Sequence, residues 1–179
     1  MRHAISRRAL LGAFCALPIL AGGCGFRLRG HFQAPFDTLF LQMQENTRFS
    51  GLLKRMIESG SNIRIVRTPQ EADAILELLD TDRDREVLSI NDEGLAREYE
   101  LRYTIEFRVS SPDGFDFVEP TKIELTRDLT YSESEFLSRD TEEGILYRDM
   151  ENDAISQIVR YIEASRNPEE SDRVEHGAQ

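Results

Sequence analysis

The sequence predicts an α+β protein, a two-layer α/β sandwich, on two observations. From Glu98 to Val109 apolar and polar residues alternate without a break. Two further stretches, one on either side of that run, repeat their apolar residues at helical spacing. Strict period two over twelve residues describes a half-buried antiparallel strand about 40 Å long. A sheet with one apolar face needs a second layer over it, and two amphipathic helices supply one.

The elements follow in order. Thr38 to Met43 (TLFLQM) is a first strand. Asn46 or Thr47 can cap a helix whose apolar face is Phe49, Leu52, Leu53, Met56 and Ile57, with Gly60 as its stop. Asn62 to Val66 is a short second strand, and Ala74, Leu76 and Leu78 begin a third. In the long strand Tyr99, Leu101, Tyr103, Ile105, Phe107 and Val109 take one side. Glu98, Glu100, Arg102, Thr104, Glu106 and Arg108 take the other. Ile123, Leu125, Leu129 and Tyr131 mark the strand after it. Asn91-Asp92-Glu93-Gly94 and Pro112-Asp113-Gly114 are turn sequences. Pro120 cannot donate to a ladder, so it belongs at a bulge or an edge. A second helix starts near Asp140, which with Glu143 forms a capping-box pattern. Its stripe is Tyr147, Met150, Ala154, Ile158 and Ile162, broadened by Ile155 and Val159.

The ends of the chain differ from the middle. Residues 1–23 read as a lipoprotein signal peptide: Arg2, Arg7 and Arg8, then the uncharged run Ala9 to Ala21, then Gly22, Gly23 and Cys24. The uncharged run is too short for a membrane-spanning helix, which needs about 20 residues. The small residues before Cys24 form a lipobox, with Ala21 where Leu is usual and Leu20 one place earlier, so Cys24 is the expected lipidation site. Ser6-Arg7-Arg8-Ala9-Leu10-Leu11 partly fits a twin-arginine export signal; an ordinary Sec signal is the alternative. Residues 24–37 are expected to be the lipidated N-terminus and linker, 38–166 the folded domain, and 167–179 a disordered polar tail.

Cleavage before Cys24 takes three of the 22 basic residues and none of the 33 acidic ones, so the net charge of −11 becomes −14. Nucleic-acid binders and binders of anionic membranes carry basic surfaces, so no nucleic acid is expected as partner. An anionic ligand must meet a local cluster of cations. Of the two cysteines, Cys15 leaves with the signal and Cys24 is acylated, so the domain rests on packing without a disulfide. Catalysis is not expected. His3 is lost with the signal, His31 lies seven residues from the anchor and His176 in the tail, and no nucleophile, metal or nucleotide motif occurs. No cofactor or metal is expected.

The residues Cys24-Gly25-Phe26-Arg27-Leu28-Arg29 resemble the mature start of the LptE family, the LPS-assembly lipoproteins of Gram-negative outer membranes. That family opens with Cys-Gly, an aromatic, any residue, then Leu-Arg. Glu98-Tyr99, Leu137-Ser138-Arg139-Asp140 and Tyr147-Arg148-Asp149-Met150 are also similar to it. The resemblance implies two helices on one face of a mixed four- to five-stranded sheet. It implies a lipid-anchored outer-membrane protein on the periplasmic side that plugs the LptD β-barrel and assists delivery of lipopolysaccharide to the outer leaflet. It assigns LPS contact to Arg139, on the family's basic position before the last helix. The family's other basic position falls in the acidic turn Asn91 to Gly94, which leaves Arg97 as the nearest substitute. The alternatives are an accessory lipoprotein of another envelope complex, such as a secretin pilot or a barrel-assembly subunit, and, more remotely, a lipoprotein hydrolase.

Overall fold

The computed structural model describes residues 32–130 and 139–165. The signal segment, Cys24, His31, the Leu137-Ser138 pair and the tail from 167 lie outside the described residues. The elements are β1 (Thr38–Gln42), α1 (Arg48–Gly60), β2 (Arg64–Val66), a 3-10 turn (Pro69–Glu71), β3 (Ala74–Ile90), β4 (Ala96–Ser110), β5 (Asp116–Thr130) and α2 (Arg139–Glu163). One five-stranded sheet runs in the order β2-β1-β3-β4-β5. β1 is parallel to both β2 and β3, whereas β3, β4 and β5 are antiparallel, so the sheet is mixed and the fold α+β.

The alternation of β4 organises the molecule. Leu101, Ile105, Phe107 and Val109 are wholly buried, and Tyr99 and Tyr103 nearly so. Residues directly opposite in an antiparallel ladder share a face, so Leu78 and Leu76 on β3, and Ile123 and Leu129 on β5, join the same row. α2 covers it with Met150, Ala154, Ile155, Ile158 and Ile162, all at 1% exposure or less. Tyr161 meets Phe107 edge-on, ring centroids 5.7 Å apart.

Local chemistry sets the ends of the elements. Thr47 caps α1: its Oγ1 accepts from the Ser50 amide at 3.0 Å, while Ser50 Oγ accepts from the Thr47 amide at 3.2 Å. The buried stripe of α1 centres on Leu53 and Ile57. Met56, expected on that face, is 41% exposed at its margin. The helix closes where the Ser61 amide donates to the Ile57 carbonyl at 3.0 Å. Both hairpins turn on a glycine in the left-handed region, Gly94 at φ 80° and Gly114 at φ 92°. Pro120 sits on edge strand β5, where the ladder slips between Phe107 and Val109. β1 and β3 are clamped at their starts: Asp73 Oδ2 accepts from the Thr38 amide (2.9 Å) and hydroxyl (2.8 Å), and Thr38 Oγ1 accepts from the Asp73 amide (2.8 Å). The Thr38 hydroxyl bond is the main cause holding the Asp73 carboxyl below its ordinary pKa.

Two expectations change. The packed domain reaches back into the stretch read as linker: Phe36 is a core residue whose ring meets that of Phe117 at a tilt, centroids 5.0 Å apart, and the Phe32 amide donates to the Gly60 carbonyl at 3.0 Å. α2 is described from Arg139, next to the start expected near Asp140. β3 continues to Ile90, far beyond Leu78. β1 pairs only with residues 74–77 of β3, so beyond them β3 is an edge strand of the described sheet, and its charged sequence suits an edge that must not pair with strangers.

Phe107→Ala should destabilise the domain by about 3–5 kcal/mol, since it empties a fully buried ring site. Urea unfolding checks this as a lower midpoint at unchanged slope; a shift below about 1 kcal/mol would show that the β4 row is not the core.

Candidate functional site: an arginine–tyrosine cleft and a charged sheet face

The two faces of the long strands differ in kind. On the helix side, β3 carries Arg83 opposite Tyr103 and Arg85 opposite Leu101, in a sequence with no apolar residue between Leu79 and Val87. These two arginines meet the N-terminal half of α2. Arg85 Nη1 donates to Glu143 Oε2 at 3.0 Å. Arg83 donates to Glu151 Oε1, and Glu151 Oε2 accepts from Arg48 Nη1 of α1 at 2.9 Å. Glu151 is 9% exposed and joins β3, α1 and α2 at one point.

The guanidiniums lie on aromatic rings. Arg83 is 5.0 Å from the Tyr147 centroid and 5.8 Å from that of Tyr103; Arg85 is 5.2 Å from that of Tyr99. Such cation–π stacking fixes the planes of otherwise flexible side chains. The Tyr147 hydroxyl donates to the Asp84 carbonyl at 2.8 Å and so ties α2 to the edge strand. Arg83, Arg85, Glu143, Gly144 and Tyr147 together line an open cleft of about 560 Å³. Burial pushes the Tyr103 hydroxyl up to about 12, with the charge of Glu151 adding to the shift and Arg83 opposing it. Burial also raises Tyr147.

The other face of the sheet carries no helix among the described residues and is charged throughout. By ladder register it presents Glu77, Asp80, Asp82, Asp84 and Glu86 of β3, Glu98, Glu100 and Glu106 of β4, and Asp116, Glu124 and Asp128 of β5. Its cations are Arg102, Arg108 and Lys122. Arg102 is the hub. Its guanidinium lies 2.6 Å from Glu100, 3.6 Å from Glu124, 3.7 Å from Glu86 and 3.8 Å from Asp84. The hydrogen bond to Glu100 is the largest reason its pKa is raised. Arg108 pairs with Glu77 at 2.7 Å.

Neither arginine named from the sequence lines the cleft. Arg97 is exposed on β4, and the strand's alternation puts it on the face of Tyr99, about 13 Å along the strand from the position facing Arg85. Arg139 opens α2, one turn before Glu143. Cys24 lies outside the described residues. The sequence reading missed Arg83, Arg85 and the tyrosines around them as a site. Their signal was the i,i+2 spacing of Arg83 and Arg85 against Tyr99 and Tyr103, which pairs only once residues 79–90 are read as a strand. Among the described residues no group of three or more His, Cys, Asp or Glu is arranged to hold a metal, and no helix is long and apolar enough to cross a membrane.

Residues 36–162 match the family described as LptE, lipopolysaccharide-assembly. The chain belongs to the LptE family. The match runs from the buried Phe36 to the buried Ile162, so it takes in all five strands, α1 and all of α2 but its last residue. A curated LptE-family relative, the LPS-assembly lipoprotein LptE of Photorhabdus laumondii, is 28% identical over 167 residues, covering 91% of this chain and 90% of that one. Two solved structures share the fold. Lipoprotein B of Nitrosomonas europaea superposes with a TM-score of 0.64 at 29% identity, covering 76% of this chain and 88% of that one. The rare lipoprotein B of Shewanella oneidensis gives 0.60 at 27% identity, covering 69% of this chain and 91% of that one. The α+β architecture is therefore that of LptE-like lipoproteins.

Tyr103 makes the LptE-fold domain sensitive to alkali. Its pKa is raised by folding, so its contribution is fully present below the unfolded value near 10 and is lost as pH rises through about 12. Tyr103→Phe should therefore flatten the fall in melting temperature between pH 10 and 12 while the parent keeps it. Identical alkaline profiles would show that the ring is not held in its neutral form by burial.

Proposed function

We propose that this LptE-family protein is an outer-membrane lipoprotein, anchored through acylated Cys24, that plugs an LptD-type β-barrel and assists delivery of lipopolysaccharide to the outer leaflet. One observation carries the plug role: the open sheet face is hydrophilic over three long strands. Such a face suits a polar barrel lumen and would be wrong against lipid. Its acidity adds a condition, since the lumen wall that receives it must offer cations at matching positions. The helices close the other side of the sheet, so the domain reaches the barrel with its core already sealed.

The role needs no catalysis. It needs an anchor, a fitted wall and contacts for an anionic glycolipid. Several acyl chains on Cys24 give firm attachment, whereas one alone is marginal. Gly25 stands where inner-membrane retention commonly uses Asp, which favours the outer membrane. Arg139 and Arg97 are the proposed LPS contacts, one on the first turn of α2 and one near the start of β4.

Affinity purification of the tagged protein from detergent-solubilised outer membranes should bring down one large β-barrel. The mature N-terminus should be an acylated Cys24 by mass spectrometry. Arg139→Asp should leave the barrel bound and weaken LPS binding by about ten-fold, the loss of one charge-assisted hydrogen bond. Recovery of a secretin ring, or of no barrel, would overturn the plug role. An unmodified N-terminus would overturn the anchor.

A further inference from the structure

We infer that the flank formed by α1 and the edge strand β2, with Lys54, Arg55, Arg64 and Arg67, rests on anionic phospholipid headgroups of the leaflet that holds the anchor. The inference rests on the acyl anchor at Cys24 proposed above. It gives the anchored domain an orientation that the acyl chains alone do not.

The first argument is the segregation of charge. Residues 24–67 hold seven Lys or Arg against three Asp or Glu, whereas residues 68–179 hold twelve against thirty. The basic part is therefore one contiguous piece of a strongly acidic protein. In the fold it becomes α1 and β2, next to each other at one side of the sheet. Leu53 and Ile57 turn the buried stripe of α1 toward the sheet, which leaves Arg55, midway between them in sequence, on the outer side of the helix. Lys54 and Arg55 on α1, and Arg64 and Arg67 in and after β2, are all exposed.

The second argument is that these cations are little used within the fold. Among the described residues neither Arg55 nor Arg67 has a carboxylate partner. Lys54 approaches Glu58 only to 4.0 Å, with its side chain 53% exposed. Arg64 acts on Asp73 through its field, the smallest of the causes that lower that carboxyl. Arg48, by contrast, is committed to Glu151 and Asn152 of α2 and stays outside the proposed surface.

The tether is the third argument, and it selects the occupant. The Phe32 amide donates to the Gly60 carbonyl at 3.0 Å, and Phe32 pairs in parallel with Ser61, so the chain enters the domain beside the last turn of α1. Cys24 lies eight residues before Phe32, and Arg27 and Arg29 stand between them. Eight residues span at most about 28 Å. The membrane surface is thus held close to this flank. Each cation near an anionic surface is attracted within about one Debye length, and a tethered patch needs little affinity of its own to stay there. The acidic strands are turned away from the same headgroups.

The test places the acylated chain in vesicles of phosphatidylcholine, with or without phosphatidylglycerol, that carry a headgroup quencher. With Cys15 cleaved off and Cys24 acylated, Asn62→Cys or Asp92→Cys gives a single labelling site. Asn62 lies between α1 and β2, and Asp92 in the β3–β4 turn at the far end of β3, about 50 Å along the strand from its start. Quenching at Asn62 should rise about two-fold with phosphatidylglycerol, and that at Asp92 should not. Salt at 0.5 M, which shortens the Debye length to about 4 Å, should remove the rise. Arg67→Glu should abolish most of it, whereas Arg148→Glu, an equal change of charge on α2, should leave it. Circular dichroism checks folding; should Arg67→Glu not fold, Arg55→Glu decides. The proposal is overturned if Asn62 is quenched equally with and without phosphatidylglycerol, if Asp92 responds as strongly, or if the folded flank variant behaves like the parent. Indifference to phosphatidylglycerol would instead leave the flank to an acidic protein surface. Flotation on pure phosphatidylcholine vesicles reports the anchor separately: a chain that does not float sinks the acyl reading, and the Asn62 response to anionic vesicles still decides the flank.

Discussion

Strict alternation along β4 is the constraint from which the rest of the structure follows. A strand with Tyr99, Leu101, Tyr103, Ile105, Phe107 and Val109 on one side cannot slip by a single residue without turning that whole row to water. The neighbours are therefore locked in register, and the apolar row must be covered. α2 is long enough to cover it, and its stripe from Met150 to Ile162 is wholly buried. With that side sealed, most charged residues of the long strands fall on the opposite face, and Arg83, Arg85 and Arg127 on the helix side pair with Glu151, Glu143 and Asp153 of α2. The two surfaces available for function, a wet acidic wall and a basic cleft at the distal end, are both by-products of one period.

Ion pairs then add position rather than bulk stability. Arg102, shared among four carboxylates on the open face, keeps 34% of its side chain exposed while those carboxylates are themselves 27% to 62% exposed, and ion pairs so open to water contribute little each. Glu151 is different because it is buried and accepts from arginines of two other elements. Losing one partner would leave a charge short of compensation inside the domain. It fixes α2 against the edge strand, and with it the distance between Glu143 and Arg85 that shapes the cleft.

The sequence is legible where burial dictates period. The face of β4, the stripe of α2, the Thr47 cap, both glycine turns and the place of Pro120 could all be read because each answers a local physical demand. The distal half of β3 could not. Asp80 to Glu86 has neither apolar alternation nor strand propensity; it is a strand because β4 offers a full ladder beside it, a tertiary cause. That gap hid the cleft, since Arg83 and Arg85 face one way only on a strand. The same limit applied at Phe32 and Phe36, where two aromatics in a Gly- and Pro-bearing stretch gave no period and yet pack on the domain. The parallel pairing of β1 with both β2 and β3 is likewise set by crossover geometry rather than by composition.

The central claim is that the open sheet face is the wall this lipoprotein turns toward its barrel. Photo-crosslinking in living cells addresses it directly, with a photoreactive residue placed at Thr104 or Thr126 on the open face, or at Ser156 on the solvent side of α2. The account predicts strong adducts to one large outer-membrane barrel from Thr104 and Thr126, and weaker ones from Ser156. Adducts from Ser156 with none from the sheet positions would contradict it.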